Sequence, residues 1–207
     1  SWIGLGGCFV FWLGRALGLI RNTNTYLKYH YNLQHLWGSW LLNGCCRLLK
    51  LKLEWQGQEH IQEGRVLVFM RHASLLDTLI PAAAFGQKRT LNPRYLLKKE
   101  LLVEPCLDIC GNRIPNLFVD RSGANRPDTL QKVQELAHEM GSDDDLILYP
   151  EGTRFTEAKK QRIESKLESE GKVELLAQSR RLQRLLPVRT GGPLACFRGA
   201  PDADVLI

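Results

Sequence analysis

No cysteine in this 207-residue chain stands at a zinc-ligand spacing. Six are present, at Cys8, Cys45, Cys46, Cys106, Cys110 and Cys196, and Cys106 and Cys110 have no partner histidines beside them. A metal site is therefore not expected. Several of the six lie in apolar runs, where a free thiol behaves as a small hydrophobe, so the set reads as reduced and buried in a cytosolic environment. A Gly-x-Ser-x-Gly elbow is also missing, and with it the serine nucleophile of that hydrolase architecture. Internal repeats and low-complexity tracts are absent. The apolar amino-terminal stretch has neither a basic start nor a small-residue cleavage site, which argues against a secretory signal peptide.

What is present fits one well-buried domain: 44% hydrophobic and 24% charged residues are ordinary for a globular chain of this length. The net charge of +6 favours an anionic partner. Nucleic acid is not expected, because no recognition motif or basic–aromatic ladder accompanies the charge. An anionic membrane surface or a phosphate-bearing small molecule fits equally well, as does a basic surface that only aids solubility. The chain opens on Ser1 and stops at Val205-Leu206-Ile207, apparently inside a strand, so truncation at both ends is expected.

Residues 2–20 are apolar and aromatic, with Arg15 the single charge. A spanning helix needs ~20 such residues, so this run is borderline. A second apolar run, Leu36 to Leu42, contains Trp37 and Trp40 and is followed by Arg47, Lys50 and Lys52. Tryptophan beside basic residues suits a membrane interface, and residues 1–52 are expected to form a membrane-associated helical hairpin. The bland alternative is a pair of core helices. From residue 53 to 207 the pattern is α/β. Strands are expected at 65–71, 94–97, 145–149 and around 184–188. A helix is expected over 127–140, with Pro127 near its first turn and Gly141 at its end. Two charged surface helices are expected within 157–185, separated near Gly171.

The chemistry concentrates where apolar runs end. Val66 to Met70 reads as a buried strand and leads into Arg71-His72-Ala73-Ser74-Leu75-Leu76-Asp77. Ser74 and Asp77 have a capping-box spacing, which places His72 in the turn before a helix and Asp77 in its first turn. The carboxylate can then reach back to the imidazole, fixing the tautomer and leaving the other ring nitrogen free to take a proton. A second run, Asp145 to Tyr149, leads into Pro150-Glu151-Gly152-Thr153-Arg154. Polar groups at the carboxyl end of a strand sit where open α/β sheets bind ligands. Gly152 permits close approach and Arg154 offers a planar fork to a phosphate. Between them, Leu117-Phe118-Val119-Asp120-Arg121 is an apolar stretch ending in an acid and an arginine. His30, His35, His60 and His138 lack an acid in a comparable place and read as surface or core histidines.

These motifs, in this order, resemble those of the lysophospholipid acyltransferase family, the group containing bacterial 1-acylglycerol-3-phosphate acyltransferase. His72 and Asp77 match its HxxxxD motif, Phe118 to Arg121 look like its second motif, and Pro150 to Arg154 match its third. Leu186-Pro187-Val188 looks like the fourth, which is usually Val-Pro-Val, and a long charged insert precedes it. The resemblance covers roughly residues 60 to 200 and implies a mixed sheet flanked by helices. It implies transfer of a fatty acyl chain from acyl-CoA or acyl carrier protein to a lysophospholipid hydroxyl, with 1-acylglycerol 3-phosphate the first acceptor to consider. His72 would be the general base and Asp77 its orienting partner. Lys98 (with Lys99 a close rival), Arg121 and Arg154 would hold the acceptor phosphate, while Glu151, Gly152 and Thr153 would shape the glycerol pocket. Glu151 could instead brace its loop by hydrogen bonds. No cofactor beyond the acyl donor is implied, and the expected location is the cytoplasmic face of the cell membrane. The alternatives are another acceptor (glycerol 3-phosphate or a lyso-aminolipid), a thioester hydrolase, or a catalytically silent membrane-binding module.

Overall fold

The computed structural model describes residues 2–54, 56–57, 64–74, 76–88, 92–120 and 126–207. His60 and Arg121 therefore lie outside the described residues. Five strands, β1 (Val66–Phe69), β2 (Asn92–Lys98), β3 (Leu117–Val119), β4 (Asp144–Leu148) and β5 (Asp204–Leu206), form one sheet in the order β3-β2-β4-β1-β5. Among the described residues every pairing is parallel, so the expected mixed sheet is corrected to a parallel one. The cause lies in the connections. Helices intervene between successive strands and carry the chain back to the same edge each time, as parallel neighbours require.

Helices cover both faces. On one, α5 (Arg126–His138) and α8 (Gly191–Gly199) pack together over Leu67, Leu96, Leu146 and Leu148, with Val133, Ala137 and Cys196 filling the gap. Contact between the two helices is close enough that Gly199 meets the Gln134 carbonyl with no room for a side chain. The opposite face presents Val66, Val68, Tyr95, Ile147 and Tyr149. There α3 (Ile80–Lys88) and α2 (Thr23–Leu48) lie against β2. The central strands are thus buried on both sides, which explains why β1 and β4 read as continuous apolar runs rather than alternating ones.

The amino-terminal helices are layered on this unit. Asn22 caps α2 by accepting from the Asn24 amide at 2.8 Å. Gly38 of α2 lets Ala82 of α3 approach, and His35 Nδ1 sits 2.6 Å from the Ala82 carbonyl oxygen. The first helix, α1 (Trp2–Ala16), packs on α2 where Gly7 meets Leu33. It also meets α4 (Pro105–Gly111), where Cys8 and Cys110 bring their sulfurs to 3.3 Å. His30 is buried in the same layer and bonds the Tyr26 carbonyl through Nδ1. Among the described residues no helix is long and apolar enough to cross a membrane. Instead α1 leaves Trp2, Ile3, Phe9, Val10 and Trp12 exposed along one side.

Two expectations about local structure meet different outcomes. The charged segment forms α6 (Glu157–Ser169) and α7 (Val173–Arg181), with Gly171 between them at φ +66°. Thr156 caps α6, and Ser179 of α7 donates to Glu164 at 3.0 Å. The strand expected around 184–188 does not form. Pro187 cannot donate to a ladder, and the place beside β1 is filled by β5. The amides of this stretch find other partners: Leu186 N–H donates to Glu151 and Arg189 N–H to the Pro150 carbonyl.

Candidate active site

Because the sheet is parallel, the segments that follow β3, β2, β4 and β1 all emerge at one edge, in that spatial order. They are Asp120, Lys98 with its following turn, Tyr149 to Arg154, and Met70 to Asp77. The chain leaving β1 crosses over the α2/α3 face, whereas the chain leaving β4 returns through α8 on the other. Diverging connections from neighbouring strands open a crevice at their carboxyl ends, where open α/β sheets bind ligands. His72 and Glu151 stand on the two loops that follow these neighbouring strands, joined by a hydrogen bond.

The first loop is held by its own short side chains. Ser74 Oγ accepts from the Leu76 amide at 2.9 Å, and Asp77 Oδ2 accepts from the Ala73 and Ser74 amides at 2.6 Å each. This capping opens a single 3₁₀ turn, Leu76–Thr78, ahead of α3. Tyr149 reaches across from β4 and donates its hydroxyl to the Asp77 carbonyl at 2.9 Å. The second loop then grips the histidine backbone from both sides. His72 N–H donates to Glu151 Oε1 at 3.0 Å, and Phe155 N–H donates to the His72 carbonyl at 3.0 Å. Glu151 Oε2 accepts from Leu186 N–H at 3.0 Å, so one buried carboxylate ties three loops together. A buried carboxylate with amides on both oxygens is fully engaged in bracing.

The His72 ring lies against the Tyr149 ring, with centroids 4.6 Å apart. Its Nδ1 faces Asp77 Oδ2 at 3.8 Å, too long for a hydrogen bond, because that oxygen is already held by two amides. Nδ1 is buried with no hydrogen-bond partner. Burial is the largest influence on the imidazole and lowers its pKa from the usual 6.5; Arg154 pushes the same way and Asp77 opposes. The lowered pKa favours the neutral imidazole at physiological pH.

The remaining expected residues fall as follows. Gly152 turns the second loop at φ +73°, and the Arg189 side chain lies over it, 3.2 Å from where a Cβ would stand. Thr153 Oγ1 accepts from Lys159 Nζ at 2.9 Å, and the same ammonium holds the Arg154 carbonyl at 3.0 Å. Arg154 is exposed beyond this anchor. Lys98, also exposed, ends β2 opposite Val119 of β3. Two site residues escape sequence reasoning. Tyr149 is hidden at the end of the apolar run that forms β4, and Arg189 follows Pro187 and Val188 with no motif of its own.

The chain matches the model of the Acyltransferase family over residues 52–192, well over half its length, and belongs to that family, the glycerolipid acyltransferases. No curated protein and no solved structure gives a significant match.

Proposed function

We propose that the protein transfers a fatty acyl chain from acyl-CoA or acyl carrier protein to the hydroxyl of a lysophospholipid, 1-acylglycerol 3-phosphate in the first instance, giving phosphatidic acid. The observation that carries this is His72: a neutral imidazole at the sheet's switch point, its backbone clamped by the second loop and its Nδ1 facing a carboxylate. With the proton on Nδ1, toward Asp77, Nε2 keeps its lone pair for the acceptor hydroxyl. The oxygen attacks the thioester carbonyl as Nε2 takes its proton. The tetrahedral intermediate collapses, the carbon–sulfur bond breaks, and the imidazolium returns the proton to the departing thiolate. Asp77 stabilises the imidazolium in between, its charge raising proton affinity at the moment the ring must hold the proton.

Arg154, Lys98 and Arg121 are the candidates for the acceptor phosphate, and Gly152 with Thr153 for its glycerol. Glu151 acts through position, holding His72 and the 186 segment in register. Exposed Leu48, Leu49, Leu51 and Leu53, interspersed with Arg47, Lys50 and Lys52, support a berth at the cytoplasmic face of the membrane, where both lipid substrate and product reside. The test is incubation of the purified chain with labelled acyl-CoA and a panel of lyso-acceptors, with products identified by mass. Acylated 1-acylglycerol 3-phosphate as the main product supports the assignment; an acylated lyso-aminolipid or glycerol 3-phosphate would move the acceptor.

A further inference from the structure

We infer that a cavity at the far end of α1 binds the phosphate of an anionic membrane phospholipid. It measures about 380 Å³ and is lined by Trp12, Arg15, Ala16, Tyr26 and Arg113. This site is separate from the proposed catalytic crevice. α4 carries the chain away from the carboxyl edge of β2, and Arg113 follows α4 on the way into β3.

Tyr26, itself buried, positions both cations. Arg15 places its guanidinium carbon 4.8 Å from the ring centroid, and Arg113 Nη1 donates to the tyrosine hydroxyl at 2.5 Å. Neither guanidinium forms an ion pair among the described residues. Two like charges gathered on one aromatic ring repel each other unless an anion joins them. A phosphate suits the place, because planar guanidinium forks engage its oxygens in pairs. The rim argues for a lipid rather than a soluble anion. Trp12, which lines the cavity, is 49% exposed, and Leu17 and Leu19, just past the end of α1, are 65% and 78% exposed, apolar surface that a soluble phosphate would not use. Tryptophan beside arginine is the composition of a bilayer interface, where the headgroup lies at the level of the cations and the chains lie beside the apolar side chains.

The inference rests on the membrane berth proposed above, and flotation separates the two. Wild type, R15Q/R113Q and the control R181Q/R198Q, which removes two exposed arginines elsewhere, are floated with neutral phosphatidylcholine vesicles and with vesicles containing phosphatidylglycerol. Wild type should partition more strongly onto the anionic vesicles. R15Q/R113Q should lose about tenfold or more of that increment, against less than about twofold for the control. An equal loss in both variants, or none in either, overturns the pocket. Should R15Q/R113Q fail to fold by circular dichroism, R15Q alone, which removes one exposed contact, should still lose about threefold or more, and an unchanged increment overturns the inference. Wild type that binds neutral vesicles without an anionic increment overturns the pocket alone; wild type that binds neither overturns the membrane berth as well. Soluble glycerol 3-phosphate at matching phosphate concentration should leave the increment intact, and its loss would reassign the cavity to a soluble phosphate.

Discussion

His72 is set by opposing influences, and two of them can be removed by single substitutions. Burial and Arg154 lower its pKa while Asp77 raises it. The acid limb of kcat/KM should therefore fall below pH 6.5 in the wild type. Asp77→Asn removes the larger of the raising influences, so that limb should move further down, and the rate should drop because the imidazolium loses its partner. Arg154→Ala removes a lowering influence, so its limb should move up. Profiles of the three proteins over pH 4.5–8 (as an about-neutral range around the ~6.5 of free histidine) check the signs; limbs that coincide would detach both residues from the ring. His72 and Asp77 were legible in the sequence because a turn and a capping spacing are local. The bracing role of Glu151 is not legible there, since its partners lie 79 and 35 residues away and only the fold brings them together.

Elements were legible where their pattern was periodic and their ends punctuated. The helix expected over 127–140 forms as Arg126–His138, and the pair flanking Gly171 forms as read. The segment at 184–188 misled because Leu185, Leu186 and Val188 make an apolar run that resembles a strand, while the amides bond to Glu151 and Pro150 instead. Nor does composition disclose how closely α8 approaches α5. A Cβ on Gly199 would stand 2.2 Å from the Gln134 carbonyl oxygen and 2.8 Å from the Ala137 Cβ. Backbone cannot yield as a flexible side chain can, so Gly199→Ala should destabilise the fold by about 1–3 kcal/mol as overpacking does. Thermal or denaturant unfolding reads this directly. An unchanged midpoint would mean that the helix pair is looser than its geometry implies.

For the molecule as a whole, the parallel sheet fixes where chemistry is possible and the amino-terminal helices fix what surface surrounds it. Their apolar character was plain in the sequence; their division of labour was not, because α2 packs on α3 while α1 keeps an exposed stripe. Deleting both helices would strip cover from the α/β unit, so the anchor is better tested by charge. Phe9→Glu with Leu13→Glu alters exposed positions of α1. The pair should sharply weaken flotation on vesicles while leaving the unfolding free energy within about 0.5 kcal/mol, as surface changes do. Retained flotation would place the membrane contact elsewhere. The central claim, that His72 is the base for acyl transfer to an alcohol, is tested most directly by measuring free thiol and acylated lipid together. Wild type should release one thiol for each lipid acylated, and His72→Ala should lose both by about 10²–10⁴-fold with its fold intact. Thiol released without acylated lipid, or His72→Ala turning over near the wild-type rate, would contradict it.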